Sequence, residues 1–345
     1  MILDFETAFQ IVKEYLKAGN YSPATIKAEY YTLRRFNEYL KSRDKGLEPS
    51  DFRDVTEKDY YGFMRYLEKQ AEKRGRTGLK PNTYRHHTEH LKMGFAVLES
   101  EEKIIQNPFA EIEGVRVEKK FDERVLTEAE MEAVLNAVDE STLTGMRDKV
   151  ILEVLYGTGI RRKELIGLEL GDYLEEEKML LIRQGKGGKD RVLPLGDKVN
   201  GYLKLYIKRI RPKLAENWRR RIPKTKAVFL NQSGGKLHEC SLVEIFRAIE
   251  ACLAEKSGIS KTVTPHIIRH SFATHLISHG ADVREVQLLL GHASIDSTEV
   301  YLNLSTAHLR EVYEKYHPLE NELYFDVESR ESYIIEMMKK RDKNQ

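Results

Sequence analysis

Residues 264–301 read TPHIIRHSFATHLISHGADVREVQLLLGHASIDSTEVY. The apolar spacing and the glycines divide this stretch into two short helices, 265–278 closed by Gly280 and 282–290 closed by Gly291. His266 and Arg269 are three residues apart, so they share a face of the first helix. His292 directly follows the second, and Tyr301 stands nine residues further on. Asp296 and Glu299 have capping-box spacing, which puts Tyr301 in a short helix after a loop. His270 lies four residues from His266 and could mimic a metal-ligand pair. A zinc helix of the HExxH kind needs a glutamate between its histidines, and none lies between His266 and His275.

Working outward, more than a hundred residues upstream, YGTGIRRKEL at 156–165 sets Arg161 between a tight glycine turn and a helix start. There a side chain and backbone N–H groups can meet a phosphate together. A surface ion pair is the plain alternative for such an arginine, and Glu164, three residues on, can pair with it or orient it. Between these regions, KMLLIRQGKGGKDRVLPLG at 178–196 is a β-hairpin, two apolar runs around a glycine-rich turn. Its tip is not a nucleotide P-loop: Arg183 stands where the first glycine is needed and Asp190 replaces the Ser/Thr. The tip lysines, Lys186 and Lys189, read either as a finger that reaches DNA or as an ordinary solvated turn. Two arginines, two histidines and a tyrosine suit the holding of a phosphodiester while a phenolate attacks it.

The first hundred residues are helical throughout. Phe5, Phe9, Val12 and Leu16 recur at helical spacing, as do Ile26, Tyr30, Leu33 and Leu40 behind a Ser22-Pro23 start. Thr56 caps a third helix. A fourth, from near Pro81, aligns Tyr84, His87, Leu91, Phe95 and Leu98 on one face. Asn107-Pro108 ends this bundle, and the charged run that follows has no helical period. Thr127 with Glu130 then opens the next helix as a capping box. The expected fold is mainly α with a small β-sheet: a helical domain at 1–112, a linker at 113–124, a mixed α/β domain at 125–318 and a tail at 319–345.

The composition sets outer limits. Of 345 residues, 41 % are hydrophobic, enough for a sizeable core, and the net charge of +2 does not announce a nucleic-acid partner. The basic run at 208–226, with Glu216 as its only acid, is a DNA-facing candidate or simply a solvated surface. Cys240 and Cys252 are too few for a zinc knuckle or a disulfide framework. No apolar stretch approaches transmembrane length and the opening MILDFETAFQ is no secretory leader, so the expected location is the cytoplasm.

Taken as a set, YGTGIRRKEL (156–165), GKGGKDR (185–191), HIIRHSFATH (266–275), LGH (290–292) and Tyr301 resemble the tyrosine recombinase (phage integrase) family, closest to its simple Xer-like branch. The likeness runs from about Ser22 to Pro318, and the stretch SPATIKAEYYTLRRFNEYL is similar to an early helix of the family's SAM-like core-binding domain. The sequence departs from the pattern at Ile268, where leucine is usual, at Leu302-Asn303 after the tyrosine, and in a longer tail.

The resemblance implies a site-specific recombinase that cleaves and rejoins double-stranded DNA through a 3′-phosphotyrosyl link. Tyr301 is then the nucleophile. Arg161, Arg269 and His292 hold the phosphate, Lys186 protonates the 5′-oxygen, His266 exchanges a proton with the tyrosine, and Glu164 supports Arg161. Neither a metal nor another cofactor is required. The partners implied are a DNA recombination site and self-association to a tetramer, with a partner recombinase or accessory protein as an open addition. The apolar stripe of the helix at 305–316 (Leu309, Val312, Tyr313, Tyr316) could pack in the local core; the resemblance suggests instead that this helix docks into a neighbouring protomer. Two alternatives remain: a type IB topoisomerase-like DNA-relaxing enzyme, and a non-catalytic DNA-binding regulator on the same fold.

Overall fold

Two separate hydrophobic cores organise the chain. The computed structural model describes residues 2–43, 51–114, 125–183, 190–216, 225–291 and 306–318. Its internal contacts divide the chain into Met1–Phe121 and Asp122–Gln345.

The first unit has four helices: α1 (Phe5–Ala18), α2 (Pro23–Arg43), α3 (Glu57–Glu72) and α4 (Pro81–Ser100). Their starts follow local chemistry. The Asp4 carboxylate accepts from the Thr7 N–H at 2.9 Å, and the Ser22 hydroxyl accepts from the Thr25 N–H at 3.1 Å ahead of Pro23. Asp59 reaches back to the Thr56 N–H at 2.9 Å. These bonds satisfy donors that a helix start leaves open. The apolar stripes meet around Phe36, whose ring sits edge-on to Phe52, Phe63, Phe95 and Phe109 at 5.2–6.2 Å between centroids. Each such pair adds about 0.5–1.5 kcal/mol beyond the area it buries. Of the histidines on α4, His87 lies at the core edge, 3.3 Å from the Thr32 hydroxyl, and burial pushes its pKa down to about 4. His90 meets the buried Glu29 carboxylate at 2.6 Å.

The second unit holds α5 (Glu128–Leu135), α6 (Leu143–Thr158) and α7 (Arg162–Gly167), then strands β1 (Tyr173–Leu174), β2 (Met179–Ile182) and β3 (Arg191–Pro194). Next come α8 (Asp197–Leu205), a π-turn over Tyr206–Ile210, α9 (Arg211–Glu216), α10 (Glu239–Ser257), α11 (Pro265–Ser278), α12 (Val283–Leu290) and α13 (Thr306–Tyr316). The Thr127–Glu130 capping box forms with both bonds in place. The central element is α6, buried at every residue from Lys149 to Thr158. The three strands form an antiparallel sheet in the order β1-β2-β3, and the register pairs Ile182 with Arg191 at the end of the hairpin. The hairpin is the one expected at 178–196; the two-residue β1 carries no sequence signal of its own.

Of the two surfaces open to the stripe of the helix at 305–316, the single chain shows the local one. α13 packs on its own chain: Val312 and Tyr313 belong to the second unit's core, with Leu309 and Tyr316 against it. Just beyond the helix, His317 is fully buried, stacks on Tyr313 at 4.6 Å and donates from Nε2 to the Tyr156 carbonyl at 3.2 Å. In the single chain, the apolar stripe therefore meets the local core. Nothing among the described helices is long and apolar enough to cross a membrane.

Candidate active site

The site is assembled from helix ends. α6 closes on Gly159 in the left-handed region at φ +60°. A Cβ at this position would lie 2.5 Å from the Phe272 ring, so backbone and packing both demand glycine. Two residues on, Arg161 precedes the first turn of α7. The Glu164 carboxylate accepts from its backbone N–H at 2.8 Å and from its Nη1 at 2.9 Å. Arg161 Nη2 donates to the Gly291 carbonyl at 3.1 Å.

Arg269 reaches the same place from the middle of α11. It is buried, donating from Nη1 to the Gly159 carbonyl and from Nη2 to the Leu290 carbonyl at 2.7 Å. The accepting carbonyls lie at the C-terminal ends of α6 and α12, where the helix partial charge is negative and favours a cation. Burial lowers the Arg269 pKa to about 10, with the nearby Arg161 charge acting in the same direction. The group stays protonated at neutral pH. Two guanidinium forks are thus fixed against consecutive carbonyls, Leu290 and Gly291, immediately before His292.

A third arginine, which the sequence reading passed over, completes the network. Arg191, first residue of β3, donates from both terminal nitrogens to Glu164, at 2.9 and 2.8 Å. Burial alone would raise the Glu164 pKa, but the bonds from Arg191 and from the Arg161 N–H outweigh it and hold the carboxyl at about 2. The available signal was a basic residue immediately after the glycine-rich tip, and nothing local distinguishes it from its neighbours.

Further sequence-marked residues serve the framework. The Tyr156 hydroxyl and His275 Nδ1 are 2.9 Å apart, and His275 Nε2 lies 2.8 Å from the Leu126 carbonyl. A carbonyl only accepts, so Nε2 carries the proton and Nδ1 accepts from Tyr156. This bond ties α6 to α11 behind the site. Part of the basic run pairs within the chain: Lys208, at the surface, meets Glu175 at 2.6 Å beside Lys204 at 3.0 Å, and Arg211 donates to the carbonyls of Thr225 and Ala227.

Of the residues singled out from sequence, Arg161, Glu164 and Arg269 converge. His266 lies on the exposed first turn of α11, one turn before Arg269, with its ring 6.1 Å from that of His270. Lys186, His292 and Tyr301 lie outside the described residues. Gly291 is the immediate neighbour of His292, and β2 and β3 flank the segment with Lys186. Among the described residues, no group of three or more His, Cys, Asp or Glu side chains could hold a metal ion.

Comparison with known proteins places the chain in a family. Residues 124–308 match the phage integrase family, and residues 5–117 match the phage integrase SAM-like domain. The chain is 35 % identical over 318 residues to tyrosine recombinase XerD of Listeria innocua, covering 92 % of this chain and 98 % of that protein. It is 36 % identical to tyrosine recombinase XerC of Oceanobacillus iheyensis, covering 89 % and 95 %. Among solved structures, the Tn1549 transposon integrase in complex with a circular intermediate DNA shares the fold, with a TM-score of 0.62 at 18 % identity, covering 95 % of this chain and 99 % of that one.

Proposed function

The chain belongs to the phage integrase family of tyrosine recombinases, and on that premise we propose that it performs site-specific recombination with Tyr301 as nucleophile. The Tyr301 phenolate attacks a scissile phosphate of duplex DNA, the bond to the 5′-oxygen breaks, and a 3′-phosphotyrosyl link forms. Arg161 and Arg269 bind the non-bridging oxygens, where negative charge grows in the transition state. His292 adds a donor to the phosphate. Lys186 gives its proton to the departing 5′-oxygen, and His266 takes the tyrosine proton. A 5′-hydroxyl from a partner strand then attacks the phosphotyrosine and restores the phosphodiester, so the bond energy is conserved and no nucleotide is consumed. Each group contributes roughly 10²–10⁴-fold, with strongly non-additive losses.

The observation that carries this reading is the pair of arginines on consecutive carbonyls directly ahead of His292. It supports an anion site preorganised before DNA arrives. The substrate is a double-stranded DNA recombination site, reached in the cytoplasm. Exchange joins two duplexes cut on both strands, which calls for four protomers on paired sites; a partner recombinase or accessory protein is an addition that the same chemistry accommodates.

The test uses a nicked duplex carrying the site, from which the cleaved fragment diffuses away. Wild-type protein is expected to accumulate a covalent adduct, and Tyr301→Phe to bind the same DNA with near-unchanged affinity and form none. Adducts that persist in the variant assign the nucleophile elsewhere. Holliday junctions from paired sites are the expected intermediate; relaxation of supercoils without them returns the topoisomerase reading.

A further inference from the structure

We propose that Arg191 is a positioning residue for strand cleavage, fixing Arg161 through Glu164 and packing on Gly291, whose carbonyl Arg161 also holds. The proposal rests on the recombinase reading above.

Glu164 is the first observation. An ionised carboxylate offers about four acceptor positions. Here Oε1 takes Arg161 Nη1 and Arg191 Nη1, and Oε2 takes the Arg161 N–H and Arg191 Nη2. The carboxylate therefore joins two arginines, and removing Arg191 strips two of its four bonds. The geometry at Gly291 is a second, independent observation. A Cβ built there would lie 2.9 Å from Arg191 Nε and 3.0 Å from both Cδ and Cζ. The guanidinium thus packs against Gly291, whose carbonyl accepts from Arg161. Its buried Nε has no hydrogen-bond partner among the described residues, which hold the group by its fork and by this packing.

Arg191 does not meet the phosphate itself. Its side chain is 15 % exposed, against 29 % for Arg161, and both terminal nitrogens are engaged with Glu164. Like Arg161 itself, it touches both the Glu164 carboxylate and Gly291, the residue before His292. It also begins the strand that follows the Lys186 segment, anchored in the sheet opposite Ile182. A lysine keeps the charge but loses the planar two-point grip.

The experiment measures single-turnover cleavage, half-site affinity and thermal melting for Arg191→Lys, Arg191→Gln, Glu164→Gln and the double variant Arg191→Gln/Glu164→Gln. Both Arg191 variants should stay folded and bind a half-site within about twofold of wild type, yet cleave roughly 10- to 100-fold more slowly, the scale of a misplaced reacting group. The double variant should lose little beyond Glu164→Gln alone, because both residues act through Arg161. The split between half-site affinity, which should hold, and single-turnover cleavage, which should fall, separates positioning from generic damage, and the partial return expected of Arg191→Lys over Arg191→Gln tracks the charge facing Glu164. A substrate with a 5′-bridging sulfur, whose leaving group needs no proton, should leave the Arg191 defect in place.

Wild-type cleavage by both Arg191 variants, fully multiplicative losses in the double variant, or rescue by the sulfur substrate overturns the proposal. So does melting of both variants to an unfolded state, which assigns Arg191 to the fold alone. If wild-type protein forms no Tyr301-dependent adduct, the recombinase reading fails first, and that control separates the two failures.

Discussion

An alkoxide leaves poorly at neutral pH unless a proton arrives as the bond breaks, which gives Lys186 a signature distinct from that of the arginines. Lys186→Ala should slow cleavage of ordinary DNA severely, while a 5′-bridging sulfur at the scissile position restores much of the rate. Equal defects on the two substrates would transfer Lys186 to phosphate binding. Arg161, Arg191 and Arg269 act through position and charge, so the sulfur should not rescue their loss. At this scale the sequence was informative wherever a motif fixed a residue type at a spacing: Arg161 after YGTGI, Glu164 three residues on, Arg269 three after His266. It was silent about Arg191, because the significance of that side chain lies in its bonds to Glu164 on another element. Tyr156 and His275 fall inside the motifs, yet their hydrogen bond between α6 and α11 was equally invisible beforehand.

α13 shows what periodicity can and cannot say about an element. A stripe of Leu309, Val312, Tyr313 and Tyr316 states that one face is buried, and it carries no information about the surface it meets. The structure seats that face on its own unit, with His317 fully buried behind it and held by burial at a pKa of about 3, hence neutral. Deleting the chain from Ala307 onward should therefore lower the melting temperature of the catalytic unit sharply. Val312 and Tyr313 together represent several kcal/mol of buried apolar surface, at about 1.5–3 kcal/mol for a fully buried large side chain. A truncated protein that melts like wild type but loses cooperative binding to paired half-sites would return α13 to the role of a link between protomers. The helix starts gave firmer ground: Ser22 and Thr127 cap as read from the sequence, and Asp4 and Asp282, not singled out there, do the same, because capping depends on residues only a few positions apart.

For the molecule as a whole, the proposed mechanism meets the phosphate charge with guanidinium groups held on helix C-termini, a task that metal ions perform in other phosphoryl-transfer enzymes. Adduct formation on the nicked substrate should accordingly proceed at an undiminished rate in EDTA and without nucleotide. Strict dependence of the chemical step on a divalent cation would defeat the proposed mechanism. By itself the sequence determined the mainly helical class with one small hairpin, the helical first bundle and the motifs that mark the family, since these follow from short-range periodicity, caps, glycine turns and motif spacing. Only the tertiary structure decided that Arg161, Arg191 and Arg269 gather around Glu164 and the carbonyls of Gly159, Leu290 and Gly291, and that α13 closes its own core. Those contacts join segments far apart in the chain, and long-range packing, not local preference, selects which buried faces meet.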